Sequence, residues 1–123
     1  MIAADTSAWI DFAKGTRSRV CSALEGALLD GTLVMPLPVL FEVLSGPGLT
    51  EEARRPILRL PRIEVAGGYW ERAASMRRGL LAKGLKARAM DCLIAQTCID
   101  HGLGLIARDE DFRHFVEHGL RLL

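Results

Sequence analysis

The sequence predicts an α/β fold, a parallel β-sheet flanked by helices on both faces. Five short apolar runs of strand length recur along the 123 residues, and four of them are bounded by Gly or Pro. The segments between them carry apolar residues at helical spacing. Strands that alternate with helices form parallel sheets whose two faces are both covered. Ligands of such sheets bind outside the carboxyl ends of the strands, at the point where strand order reverses.

Taken in order, the first run is IAA, Ile2 to Ala4, ending at Asp5. The text DTSAWID, Asp5 to Asp11, then opens an amphipathic turn, and Asp5 suits its N-cap. Ser18 to Leu29 reads as a helix with Val20, Leu24, Ala27 and Leu28 on one face. TLVM, Thr32 to Met35, is the second strand run. Val39 to Leu44 is a short apolar helix that stops at Ser45-Gly46-Pro47-Gly48. Thr50, followed by Glu51, Glu52 and Ala53, is an N-cap with acids in the first turn. RIEVA, Arg62 to Ala66, is a weaker strand run. Tyr69 to Ala82 carries Trp70, Ala73, Ala74, Met76, Leu80 and Leu81. Ala89 to Ile99 carries Met90, Leu93, Ile94, Thr97 and Cys98 at helical spacing. GLGLIA, Gly102 to Ala107, and LRLL, Leu120 to Leu123, complete the strands. Between these last two, FRHFVEHG reads as an amphipathic turn with a Gly stop, which makes His114 and His118 surface residues.

Residues 1–123 are expected to form a single domain. Half of the residues are hydrophobic, which excludes disorder, and the net charge of +1 supplies no overall field for a polyanion. Cys21, Cys92 and Cys98 stand at no metal-ligand spacing and read as reduced core thiols. Neither a leader segment nor a membrane span is expected, so the protein is placed in the cytoplasm.

Five acids stand out. Asp5 and Asp109 follow strand runs, and Asp111 lies two residues beyond Asp109 in IARDEDF. Asp91 falls in the first turn of a helix, on the face of Ile94, Ala95 and Cys98. Glu42 is the only charged residue in LPVLFEVLSG, Leu37 to Gly46. An unpaired charge in apolar surroundings is costly, so Glu42 must reach water or a cation. Asp5, Asp91, Asp109 and Asp111, taken singly, each suit a cap, a first turn or a loop, whereas Glu42 suits none of these. Together they can meet at one sheet edge, where their repulsion calls for a cation. Oxygen ligands without His or Cys select Mg²⁺ or Mn²⁺. The reaction class that fits is metal-dependent phosphodiester hydrolysis.

The ordered set DTSAWI, FEVLSG, MDCLIAQ and ARDEDF resembles the PIN-domain ribonucleases, and more narrowly the VapC-type toxins of bacterial toxin–antitoxin pairs. The resemblance runs from Asp5 to Phe112. It implies a catalytic, metal-binding set of Asp5, Glu42, Asp91 and Asp109, with Asp111 as an accessory acid and Thr6 as the small polar residue after the first acid. It also implies a homodimer and an antitoxin that covers the cleft, often with a basic side chain. One departure is Ala107, where many members carry Thr or Ser.

Arg72, Arg77, Arg78, Lys83, Lys86 and Arg88 form a basic run without an acid among them. Lys83, Lys86 and Arg88, nearest Asp91, are the expected contacts to RNA phosphates. Trp9, Phe12 and Leu49 are apolar candidates for an interface, and an ordinary core role suits each of them at least as well. A binding-only module with the fold but no competent site is the alternative. An aspartyl-phosphate enzyme ranks lower, because DTSAW lacks the partner acid that such chemistry wants.

Overall fold

The computed structural model describes residues Met1–Leu123 and shows five parallel strands alternating with helices. Strand β1 (Ile2–Ala4) pairs with β4 (Gly104–Ile106), Ala4 opposite Ile106, and β4 pairs with β5 (Arg121–Leu122). Strand β2 (Met35–Pro36) pairs with β3 (Arg62–Ile63). A parallel bridge between Ile2 and Leu33 joins the two groups. There the Ile2 N–H donates to the Thr32 carbonyl at 2.9 Å and the Val34 N–H to the Ile2 carbonyl at 2.8 Å. The order across the sheet is therefore β3-β2-β1-β4-β5. Consecutive residues of β1 and β4 are buried, including Ala3, Ala4, Leu105 and Ile106, as a sheet covered on both faces requires.

The strands are shorter than the apolar runs suggest. In TLVM, Leu33 makes only the isolated bridge, and pairing to β3 starts at Met35. Pro36 ends β2 because it has no N–H to donate, and the chain turns directly into α3. In RIEVA, only Arg62–Ile63 pairs. In GLGLIA, Gly102 sits at φ +63° and caps the preceding helix, which leaves Gly104–Ile106 for the sheet.

Six α-helices and a 3₁₀ helix cover this sheet. Helix α1 (Thr6–Ala13) follows β1 directly and packs on α2 (Arg19–Leu29) and α3 (Leu37–Ser45). Ser18 caps α2 by accepting the Cys21 N–H at 3.0 Å, and Thr50 caps α4 (Glu51–Arg59) by accepting the Ala53 N–H. Helix α6 (Ala89–His101) lies against α3, α5 (Tyr69–Ala82) and the 3₁₀ helix (Glu110–His118). It is buried on several sides, through Cys92, Ile94, Ala95, Gln96, Thr97 and Cys98.

Two apolar groups divide between core and surface. Trp9 is fully buried, and Phe12 and Leu49 are half-buried against the same core, so these three form no exposed apolar face. Trp9 and Phe12 meet edge to face at 5.9 Å. On α5 the buried stripe is Tyr69, Ala73, Met76 and Leu80, while Trp70 is 61% exposed. The Tyr69 hydroxyl donates to the Leu93 carbonyl at 2.6 Å, which turns that stripe toward α6. All three cysteines are free and buried, and burial pushes the Cys98 thiol up to about 12. No helix is long and apolar enough to cross a membrane.

Candidate active site

The strand order reverses between β1 and β4, and the carboxyl ends of both strands carry an acid. Asp5, 2% exposed, is the N-cap of α1. Its Oδ1 accepts the Ala8 N–H at 2.7 Å, and its Oδ2 accepts the N–H groups of Arg108 at 3.1 Å and Asp109 at 3.3 Å. One carboxylate therefore ties the loop after β4 to the end of β1. Burial raises the Asp5 pKa above the ordinary 3.8, the three backbone N–H donors oppose the rise, and the nearby Asp109 charge adds to it.

Glu42 projects from α3 and is half-buried. Its Oε1 accepts a 2.6 Å hydrogen bond from the Thr6 hydroxyl. Asp91, in the first turn of α6, is also half-buried. Burial is the largest cause of its raised pKa, Arg88 opposes the rise, and the Asp109 and Glu42 charges add to it. Asp109 caps the 3₁₀ helix, its Oδ1 accepting the Asp111 N–H at 2.9 Å.

These side chains line a cavity of about 230 Å³ bounded by Asp5, Thr6, Ser7, Ile10, Glu42, Arg88, Met90, Asp91, Ile94, Asp109 and Phe112. The four acids expected to act together thus share one cleft, with Thr6 among them. Asp111 lies outside the lining, and its Oδ2 stands 3.5 Å from Lys86 Nζ.

The three basic residues expected to meet RNA all pair with acids of the 3₁₀ helix or its cap: Lys83 with Glu117, Lys86 with Asp111 and Arg88 with Asp109. Arg88 is the only cationic side chain lining the cavity. Its Nη2 donates to Asp109 Oδ2 at 2.6 Å, and its Nε stands 3.3 Å from Asp91 Oδ2. Lys86 and Lys83 lie outside the lining, with exposed side chains; Lys83 Nζ stands 3.7 Å from Glu117. Arg72 turns away to a two-pronged pair with Asp100. The sequence reading also missed Arg108, whose guanidinium pairs with Asp11 at 3.1 Å while its N–H supports Asp5. Its adjacency to Asp109 was the available signal.

The donor chemistry of the cleft fits a hard divalent cation: four carboxylates, no imidazole and no thiolate. As they stand, no three acidic, His or Cys side chains converge into a ready-made ligand group. Mg²⁺ is commonly held through one or two carboxylates with water in its remaining positions, so this donor set suits it.

Residues 2–117 match the PIN domain family, and the chain belongs to that family. Over 120 residues it is 32% identical to Ribonuclease VapC11 of Mycobacterium tuberculosis and, at the same identity, to VapC ribonuclease Mb1587 of Mycobacterium bovis. Each alignment covers 91% of this chain and 89% of the relative. The fold also superimposes on solved structures. VapBC2 from Rickettsia felis, bound to a DNA fragment from its promoter, gives a TM-score of 0.76 at 20% identity, covering 100% of this chain and 98% of the other. FitAcB from Neisseria gonorrhoeae gives 0.72 at 18% identity, covering 100% and 96%.

Proposed function

We propose that this chain is a metal-dependent endoribonuclease toxin that hydrolyses RNA phosphodiester bonds and is neutralised by a cognate antitoxin. One observation carries the proposal: Asp5, Glu42, Asp91 and Asp109, from four separate segments, line a single cleft at the switch point of a parallel sheet. Family membership and relatives named as VapC ribonucleases support it. The shared fold with VapBC2 from Rickettsia felis supports an antitoxin partner.

In this reading Asp5, Glu42, Asp91 and Asp109 hold Mg²⁺ or Mn²⁺. When bound, the ion supplies an activated water nucleophile and stabilises charge on the phosphoryl oxygens. The rest of the work falls to the chain itself. The Ala8, Arg108 and Asp109 N–H groups fix the Asp5 carboxylate, and the Thr6 hydroxyl fixes Glu42. Lys83 and Lys86 have exposed ammonium groups that can meet the RNA backbone, their present ion pairs being weak ones at the surface. Asp111 is an accessory acid: its backbone N–H holds Asp109 in place, and its carboxylate stands beside Lys86. The active assembly is a homodimer in the cytoplasm, where the three free thiols stay reduced.

The test is cleavage of total cellular RNA by purified protein. Cutting with Mg²⁺ that is lost with EDTA, and lost in Asp5→Asn, is the expected result. Cutting that survives both treatments overturns the metal mechanism. No cutting of any RNA favours a module that acts by binding alone.

A further inference from the structure

Arg88 occupies the N-cap position of α6 but makes no side-chain cap bond there. Its guanidinium instead reaches two carboxylates, Asp109 at 2.6 Å and Asp91 at 3.3 Å, which come from different elements. Its side chain is still 57% exposed, so it approaches the carboxylates from the solvent side and has room to leave. The planar fork of arginine suits this kind of two-carboxylate bridge. No other cation lines the cleft.

We propose that Arg88 is a resident counter-cation that competes with the divalent ion, bridging Asp91 and Asp109 in the metal-free protein and leaving them when the ion is taken up. The inference rests on the cation-binding reading above. Arg88 holds Asp91 Oδ2 and Asp109 Oδ2, and a divalent ion taken up on those oxygens repels the guanidinium, so each cation weakens the hold of the other and the coupling is reciprocal. The contacts are only partly buried, which keeps the competition modest and the displacement reversible. Arg88 thereby sets the metal concentration at which the cleft loads. Once displaced, its long side chain stays at the cleft mouth, on the side from which an RNA phosphate would approach.

The test is direct Mn²⁺ binding, followed by electron paramagnetic resonance and calorimetry without RNA. Arg88→Gln is expected to bind Mn²⁺ roughly three- to thirtyfold more tightly than the unmodified chain. Arg88→Lys, which keeps the charge but not the fork, falls between them. An unchanged or weaker affinity in Arg88→Gln overturns the proposal. Absence of Mn²⁺ binding in every form overturns the cation reading itself, and this inference with it. Independently of any variant, Mn²⁺ should accelerate modification of Arg88 by phenylglyoxal, mapped by mass spectrometry. An unchanged or slower rate on saturation with Mn²⁺ overturns the displacement.

Discussion

The Thr6 hydroxyl donates to Oε1 of Glu42 across 2.6 Å, joining the first turn of α1 to α3. The lone acid of an apolar helix thus has a neutral partner and a place on a cleft wall, beside exposed Phe41. Its charge is neither stranded in the core nor neutralised by a lysine or arginine. The bond fixes where the carboxylate points. Thr6→Val should therefore lower metal-dependent cleavage by about 10–100-fold, with an unchanged circular dichroism spectrum. Thr6→Ser, which keeps the hydroxyl, should recover most of the rate.

Glu42→Gln keeps the size of the side chain and the acceptor for Thr6, but removes the charge. Cleavage should fall by more than the ~10–100-fold typical of losing an outer hydrogen-bond partner. The melting temperature should hold or rise, because one of four mutually repelling acids is gone. A Gln variant that cuts at the normal rate would make Glu42 a structural residue only.

Asp91 links the cleft to stability. Its folded-state pKa is raised above 3.8, first by burial, so the folded chain binds the proton more tightly than the unfolded chain does. Stability is then lost as pH climbs from the unfolded value through the raised folded one, and the cost is constant above that. Asp91→Asn should melt a few degrees higher at neutral pH, on the order of 1 kcal/mol or less. The gap between the two proteins should narrow as the pH is brought below 3.8, measured without divalent ions.

Asp5 accepts three backbone N–H groups, so its replacements should separate charge from architecture. Asp5→Ala strands those donors and should cost roughly 2–4 kcal/mol in urea denaturation. Asp5→Asn retains an acceptor oxygen and loses the charge. Its NH₂ must face N–H groups that an Asp5 oxygen accepts, so it should cost about 1–3 kcal/mol, less than Asp5→Ala, while losing cleavage. Equal stability for both variants would mean that the cap contributes little.

Lys83 and Lys86 offer a contrast with the cleft. Their ion pairs are at the surface, so Lys83→Ala and Lys86→Ala should leave melting unchanged. If each meets a phosphate of single-stranded RNA, the salt dependence of binding should weaken by about 0.7 in log–log slope per lysine. An unchanged slope would remove them from the RNA surface.

The sequence by itself determined the fold class and the local position of each acid. Alternating apolar runs and helical stripes can only bury their faces as a parallel sheet between helices, and Asp5, Asp91 and Asp109 were legible as residues at element ends because caps and strand ends are local features. Tertiary structure alone decided which elements became neighbours. Asp5 and Asp109 are 104 residues apart, and they meet because β1 pairs with β4 rather than through any local pattern. The same holds for the burial of Trp9 and the exposure of Trp70. Helices α1 and α5 carry more apolar residues than their contacts cover, leaving Ile10 and Trp70 exposed, and the face that is buried depends on the helix packed against it. Arg88 is the clearest case. In the sequence it is the last member of a basic run. In the fold, the first turn of α6 and the loop after β4 place two carboxylates within its reach, and that proximity sets its role.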